Sequence, residues 1–132
     1  MKDNISYDKK RILIVDDMPH WRRLLSTLLA EYELETIDSY ANAVLVIKNS
    51  KFDVAILDIR LDDENSFNVD GVDLLKKLRI QQPNIGIIIL TGYRESVRDK
   101  VLREYKPNEI LNKESFDNNE FREIVHKLMW NI

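Results

Sequence analysis

A short apolar run that stops at paired acids constrains this chain more than any other feature. Ile12-Leu13-Ile14-Val15 is β-branched and bounded by polar residues, so it reads as a strand buried on both faces. It ends in Asp16-Asp17, followed by Met18-Pro19 and a helical pattern. In an open parallel sheet, ligands bind beyond the carboxyl ends of the strands. Two carboxylates placed there are costly unless something cationic offsets them.

The rest of the chain alternates in the same way. Residues 1–10 are polar and patternless, and are expected to form a flexible leader ahead of one domain over 11–132. Pro19 suits the first turn of a helix, because its missing N–H would be an orphan donor there anyway. Trp21, Leu24, Leu25, Leu28 and Leu29 follow at helical spacing. Residues 34–38 give a weaker second strand, and Ala43, Val44 and Ile47 a short helix ending near Asn49-Ser50. Val54-Ala55-Ile56-Leu57 is again an apolar strand, and again it stops at a carboxylate, Asp58.

Residues 60–70 are polar and loop-like. A helix is expected from Asp70, with Asp73 in the capping-box position and Val72, Leu74, Leu75 and Leu78 turned inward, until Pro83 and Asn84. Residues 85–90 form the most hydrophobic strand, expected at the centre of the sheet and ending at Thr91-Gly92. A charged helix over 94–105 would bury Val97, Val101, Leu102 and Tyr105. A brief strand over 109–112 ends at Lys113. The last helix, with Asp117 as cap and Glu120 three residues on, would bury Phe121, Ile124, Val125, Leu128 and Met129. Five β-α units in sequence imply an α/β fold, a parallel sheet with helices on both faces.

Composition narrows the function. A chain of 132 residues with 44% hydrophobic and 33% charged residues has the size and balance of a single globular domain. A net charge of −3 gives no field to hold nucleic acid, and no apolar run approaches a membrane span. The absence of cysteine excludes thiolate catalysis, disulfides and sulfur-ligated metal. A cytoplasmic protein is expected.

Four strand ends carry polar functional residues: Asp16 with Asp17, Asp58, Thr91 and Lys113. In a parallel sheet these ends share one edge, so they converge in one crevice. Mutual repulsion among three carboxylates calls for a hard cation, and oxygen ligands suit Mg2+. A lysine and a hydroxyl beside a divalent ion are groups that stabilise a transferred phosphoryl, and one carboxylate could itself be the nucleophile. Taken singly, Lys113 would be a solvated lysine, Thr91 a strand-end hydroxyl, and the acid pair helix-terminal acids favoured by the dipole. Their combination carries the reading.

This ordered set resembles the receiver domain of the two-component response regulator family over residues 11–128. That family has an acid pair after strand one, a phospho-accepting Asp after strand three, Thr or Ser after strand four and Lys after strand five. The interval from Thr91 to Lys113 is also similar. The resemblance implies a flavodoxin-like, doubly wound five-stranded sheet of order 2-1-3-4-5 with five helices. It implies that Asp58 accepts phosphate from a histidine kinase, a phosphotransfer protein or a small phosphodonor. Mg2+ would be held by Asp17, Asp58 and the backbone carbonyl of Arg60, with Asp16 acting largely through water. Lys113 would pair with a phosphoryl oxygen, and Thr91 would hydrogen-bond the phosphoryl group and move inward. That shift would bias a surface of the fourth helix, fifth strand and fifth helix, which could also dock a second copy of the chain.

Three departures from the family pattern stand out. The stretch between Asp58 and Gly71 is longer than usual and contains no proline; it reads as a solvated insertion, expected to be the most mobile ordered segment, or as a lid using Asp62, Asp63 or Glu64. Ile110 occupies the place of a switching aromatic, for which Tyr93 or Tyr105 would have to substitute. Glu114 follows Lys113 where the family has proline in a cis bond; because a non-proline cis bond costs about 3 kcal/mol, a trans bond and an altered approach of Lys113 are expected.

Other features read blandly. His20 is expected at the surface, with no partner histidine nearby, and Trp21 packs against or covers its helix. Arg94, Arg98, Lys100 and Arg103 make a basic outer face, either solvated or docking an acidic partner. The phosphoacceptor switch assists only its own phosphorylation and dephosphorylation and is not an enzyme of outside metabolites. Two alternatives remain beside it: a scaffold for docking or dimerisation without phosphotransfer, and a small Mg2+-dependent phosphatase with an aspartyl nucleophile.

Overall fold

A computed structural model describes residues 9–58, 70–92 and 103–130. The chain runs β1 (Arg11–Val15), α1 (Pro19–Leu28), β2 (Glu33–Ile37), α2 (Tyr40–Asn49), β3 (Val54–Asp58), α3 (Asp70–Gln81), β4 (Gly86–Thr91) and β5 (Glu109–Asn112). A 3-10 turn (Lys113–Ser115) and a C-terminal helix (Asn118–Trp130) complete it. The sheet has five parallel strands in the order β2-β1-β3-β4-β5. Among the described residues there are four α-helices; most of the helix expected over 94–105 lies outside them, as does nearly all of the long loop.

Alternate strand residues feed two separate cores, the physical meaning of a doubly wound sheet. Leu13, Val15, Ala55, Leu57, Ile87 and Ile89 pack with Ala43, Ile47, Leu74, Leu75 and Leu78 of α2 and α3. Ile12, Ile14, Val54, Ile56, Ile88 and Leu90 face Leu25 and Leu29 at α1, and Phe121, Val125 and Met129 of the C-terminal helix. Each fully buried side chain of this kind contributes roughly 1.5–3 kcal/mol. The apolar runs without alternation are therefore strands with no wet face.

Local signals set most boundaries. Pro19 opens α1, with Met18 as its cap residue. Ser39 Oγ accepts the Asn42 N–H at the start of α2, and Asp117 Oδ2 accepts the Glu120 N–H ahead of the C-terminal helix. One expectation is corrected. Although β4 is buried along its whole length and flanked on both sides, β3 is the middle strand. Asp73 has a tertiary role beside its place in the first turn of α3: its carboxylate accepts the Tyr40 hydroxyl and lies 3.4 Å from Lys77, so it ties α3 to α2.

Candidate functional site

The strand register assembles the site. Val15 pairs with Leu57, Asp58 with Leu90, and Thr91 with Asn112. Asp16 and Asp17, Asp58, Thr91 and Lys113 consequently emerge at one edge of the sheet. The chain reverses direction across the sheet between β1 and β3, which is where a crevice opens in this topology.

Asp16 is buried, Asp58 half-buried and Asp17 exposed. One oxygen from each lies within 4.8 Å of the others. Lys113 Nζ stands 2.9 Å from Asp16 Oδ2 and 3.3 Å from Asp58 Oδ1. The backbone also braces Asp16: Met18 N–H donates to Oδ1, Arg22 Nη1 donates to its carbonyl, and its own N–H donates to the Ile37 carbonyl. Burial pushes Asp58 up to about 6; the neighbouring Asp16 charge adds to the rise and the Lys113 ammonium opposes it. Asp58 is thus mostly ionised at neutral pH, at a cost.

The three carboxylates fit a hard divalent cation. Among the described residues they outnumber the Lys113 ammonium paired with them, and Asp16 Oδ2 is a buried oxygen that accepts no hydrogen bond despite its ion contact with Lys113. All candidate side-chain donors are oxygens, the set Mg2+ prefers. Thr91 is buried on the adjoining strand, 1% exposed, and pairs in register with Asn112, the residue before Lys113. Every expected side chain of the site therefore reaches the same edge. The Arg60 carbonyl lies outside the described residues, as do Tyr93, Asp62, Asp63 and Glu64.

Ile110 packs partly buried against the α2–α3 core. The Lys113–Glu114 bond is trans, and Asn112 Oδ1 accepts the Glu114 N–H at 2.7 Å to shape the turn. His20 is exposed, as expected. Arg22 and Trp21 were not legible as neighbours of the site. The signal available was their place in the first turn of a helix that begins directly after the acid pair, which sets them over the strand ends.

Comparison with known proteins is consistent with this geometry. The profile of the response regulator receiver domain family matches residues 12–126. The transcriptional regulatory protein GlrR of Escherichia coli K12 is 32% identical over 91 residues, which are 67% of this chain and 19% of GlrR. The photosynthetic apparatus regulatory protein RegA of Cereibacter sphaeroides is 32% identical over 87 residues, 65% of this chain and 45% of RegA. The chain spans less than half the length of each of these two relatives. Among solved structures, a CheY-like receiver domain protein of Methanospirillum hungatei superposes with a TM-score of 0.82 at 25% identity, covering 93% of this chain and 95% of that one. The response regulator TrrA of Thermotoga maritima, solved in complex with Mg2+–BeF, has a TM-score of 0.74 at 32% identity, covering 90% and 98%.

Proposed function

The chain belongs to the response regulator receiver domain family, and from that premise we propose that it is a phosphoacceptor switch whose acceptor is Asp58. The observation that carries the proposal is Lys113 Nζ held between Asp16 and Asp58 at the carboxyl edge of the sheet. An ammonium so placed can follow negative charge as it develops on a phosphoryl group bound to Asp58.

In the transfer, an Asp58 oxygen forms a new bond to phosphorus while the bond from phosphorus to the donor breaks. The donor atom, an imidazole nitrogen of a kinase or phosphotransfer protein or the acetate oxygen of acetyl phosphate, leaves with the electron pair. Lys113 pairs with one phosphoryl oxygen and the Thr91 hydroxyl hydrogen-bonds another. Asp17, Asp58 and the Arg60 carbonyl would hold Mg2+, with Asp16 supporting it through water; the ion supplies positive charge to the carboxylates and phosphoryl oxygens. The likeness to TrrA, solved with Mg2+–BeF, supports that assignment.

The readout in this proposal is a changed surface at the helix expected over 94–105, β5 and the C-terminal helix, offered to a protein partner or a second copy of the chain. The domain assists only its own phosphorylation and hydrolysis. Among the described residues no helix is long and apolar enough to cross a membrane.

Incubation with acetyl phosphate and Mg2+ tests the reading. A mass gain of one phosphoryl group that Asp58→Asn abolishes is the expected result. A parent protein that takes up none overturns it.

A further inference from the structure

Lys113 has a third neighbour besides its two carboxylates. Its Nζ lies 4.9 Å from the centroid of the Trp21 ring, within range of a cation–π contact. The indole is held in turn. Its ring meets Phe116 edge-on with centroids 5.1 Å apart, and Phe116 lies 5.1 Å from the fully buried Phe121 of the C-terminal helix. The 3-10 turn therefore grips the indole twice, with the ammonium of Lys113 at one end and the ring of Phe116 just past the other.

We propose that Trp21 is a positioning residue for the phosphoryl-transfer site, its ring face fixing where the Lys113 ammonium stands between Asp16 and Asp58. The proposal rests on the phosphoacceptor reading and adds a residue to it. An indole that only filled space would need its edge on Phe116 but not its face on the ammonium.

The physical case has two parts. A lysine side chain loses up to about 2 kcal/mol of rotamer freedom when held, so an ammonium with two carboxylates on one side and solvent on the other would sample many positions. The Trp21 face gives the ammonium a further neighbour without adding a charge that would compete with the phosphoryl group, and the Lys113 side chain is only 10% exposed. Second, Glu114 follows Lys113 where a proline would lock the backbone φ, so the backbone alone restrains the turn less. The Trp21–Phe116–Phe121 ladder supplies that restraint through side chains, tying α1, the turn and the C-terminal helix together.

The test compares phosphorylation by acetyl phosphate and Mg2+ in the parent, Trp21→Phe and Trp21→Leu proteins, each first checked for cooperative urea unfolding. Trp21→Leu is expected to lower the maximal rate by roughly threefold to tenfold with an unchanged KM for acetyl phosphate, the range a partly desolvated cation–π contact provides. Trp21→Phe, which keeps an aromatic face, is expected to recover most of the rate. A second arm uses Trp130→Phe, which leaves Trp21 as the one tryptophan of the chain. In that background Lys113→Met is expected to change the Trp21 emission with no phosphodonor present. A Trp21→Leu protein as fast as a reactive parent, a Trp21→Phe protein as slow as Trp21→Leu, or an emission indifferent to Lys113→Met overturns the positioning role alone. An inert parent overturns the phosphoacceptor reading and the positioning role with it.

Discussion

The Lys113 ammonium lies closer to Asp16 than to Asp58, at 2.9 Å against 3.3 Å. The lysine is thus shared with the buried acid and not reserved for the proposed phosphoacceptor. Lys113 and a bound cation would stabilise the same carboxylates, so the two should be partly interchangeable. Their competition can be measured.

Replacement of Lys113 by Met leaves Asp16 and Asp58 buried without a counter-charge. Breaking a buried ion pair from one side costs about 3–5 kcal/mol, and loss of that order is expected in urea unfolding with a chelator present. Millimolar Mg2+ should restore a good part of it, and should bind more tightly than to the parent. A variant with parental stability in chelator would show that Lys113 does not offset the acids.

Asp58 sets a pH dependence whose sign follows from its raised pKa. The folded value of about 6 exceeds the ordinary 3.8, so the folded state binds the proton more tightly. Asp58 then contributes most below pH 3.8, and that contribution is lost as pH rises through 6, a swing of up to about 3 kcal/mol. In chelator, Asp58→Asn should therefore be more stable than the parent at pH 7.5, with the gap closing towards pH 4. A gap that widens on acidification would contradict the burial-driven shift.

Mg2+ should protect the folded state, because the three carboxylates come together only there. At one hundred times its dissociation constant the ion adds about 2.7 kcal/mol. The rise in melting temperature on adding Mg2+ should shrink sharply in Asp17→Asn, and should fade below pH 6 as protons occupy Asp58. Differential scanning calorimetry with and without chelator reads both effects.

Asp117→Ala removes the side chain that accepts the Glu120 N–H at the start of the C-terminal helix. Loss of such a cap costs about 1 kcal/mol. Chemical denaturation should show that loss, while Asp117→Asn, which retains an acceptor oxygen, should lose much less. Equal losses would mean that the charge matters and the cap does not.

What the sequence determined by itself was the alternation of elements and the residues at the strand ends. Uninterrupted apolar runs such as Ile12-Leu13-Ile14-Val15 are strands because both faces are covered, and Pro19 and Asp117 mark helix starts because their chemistry is local. Asp16, Asp17, Asp58, Thr91 and Lys113 could be nominated because each ends a strand in a parallel sheet.

Tertiary structure decided which of these groups meet, and how. The register of β1, β3, β4 and β5 set Lys113 between two acids, and the packing of α1 against the last helix brought Trp21 over the ammonium. Asp73 shows the same division: the sequence places it in the first turn of α3, and the approach of α2 delivers it to Tyr40. Periodicity and capping are carried by neighbours within a few residues. Partners across the fold depend on how whole elements pack, and no local pattern records that.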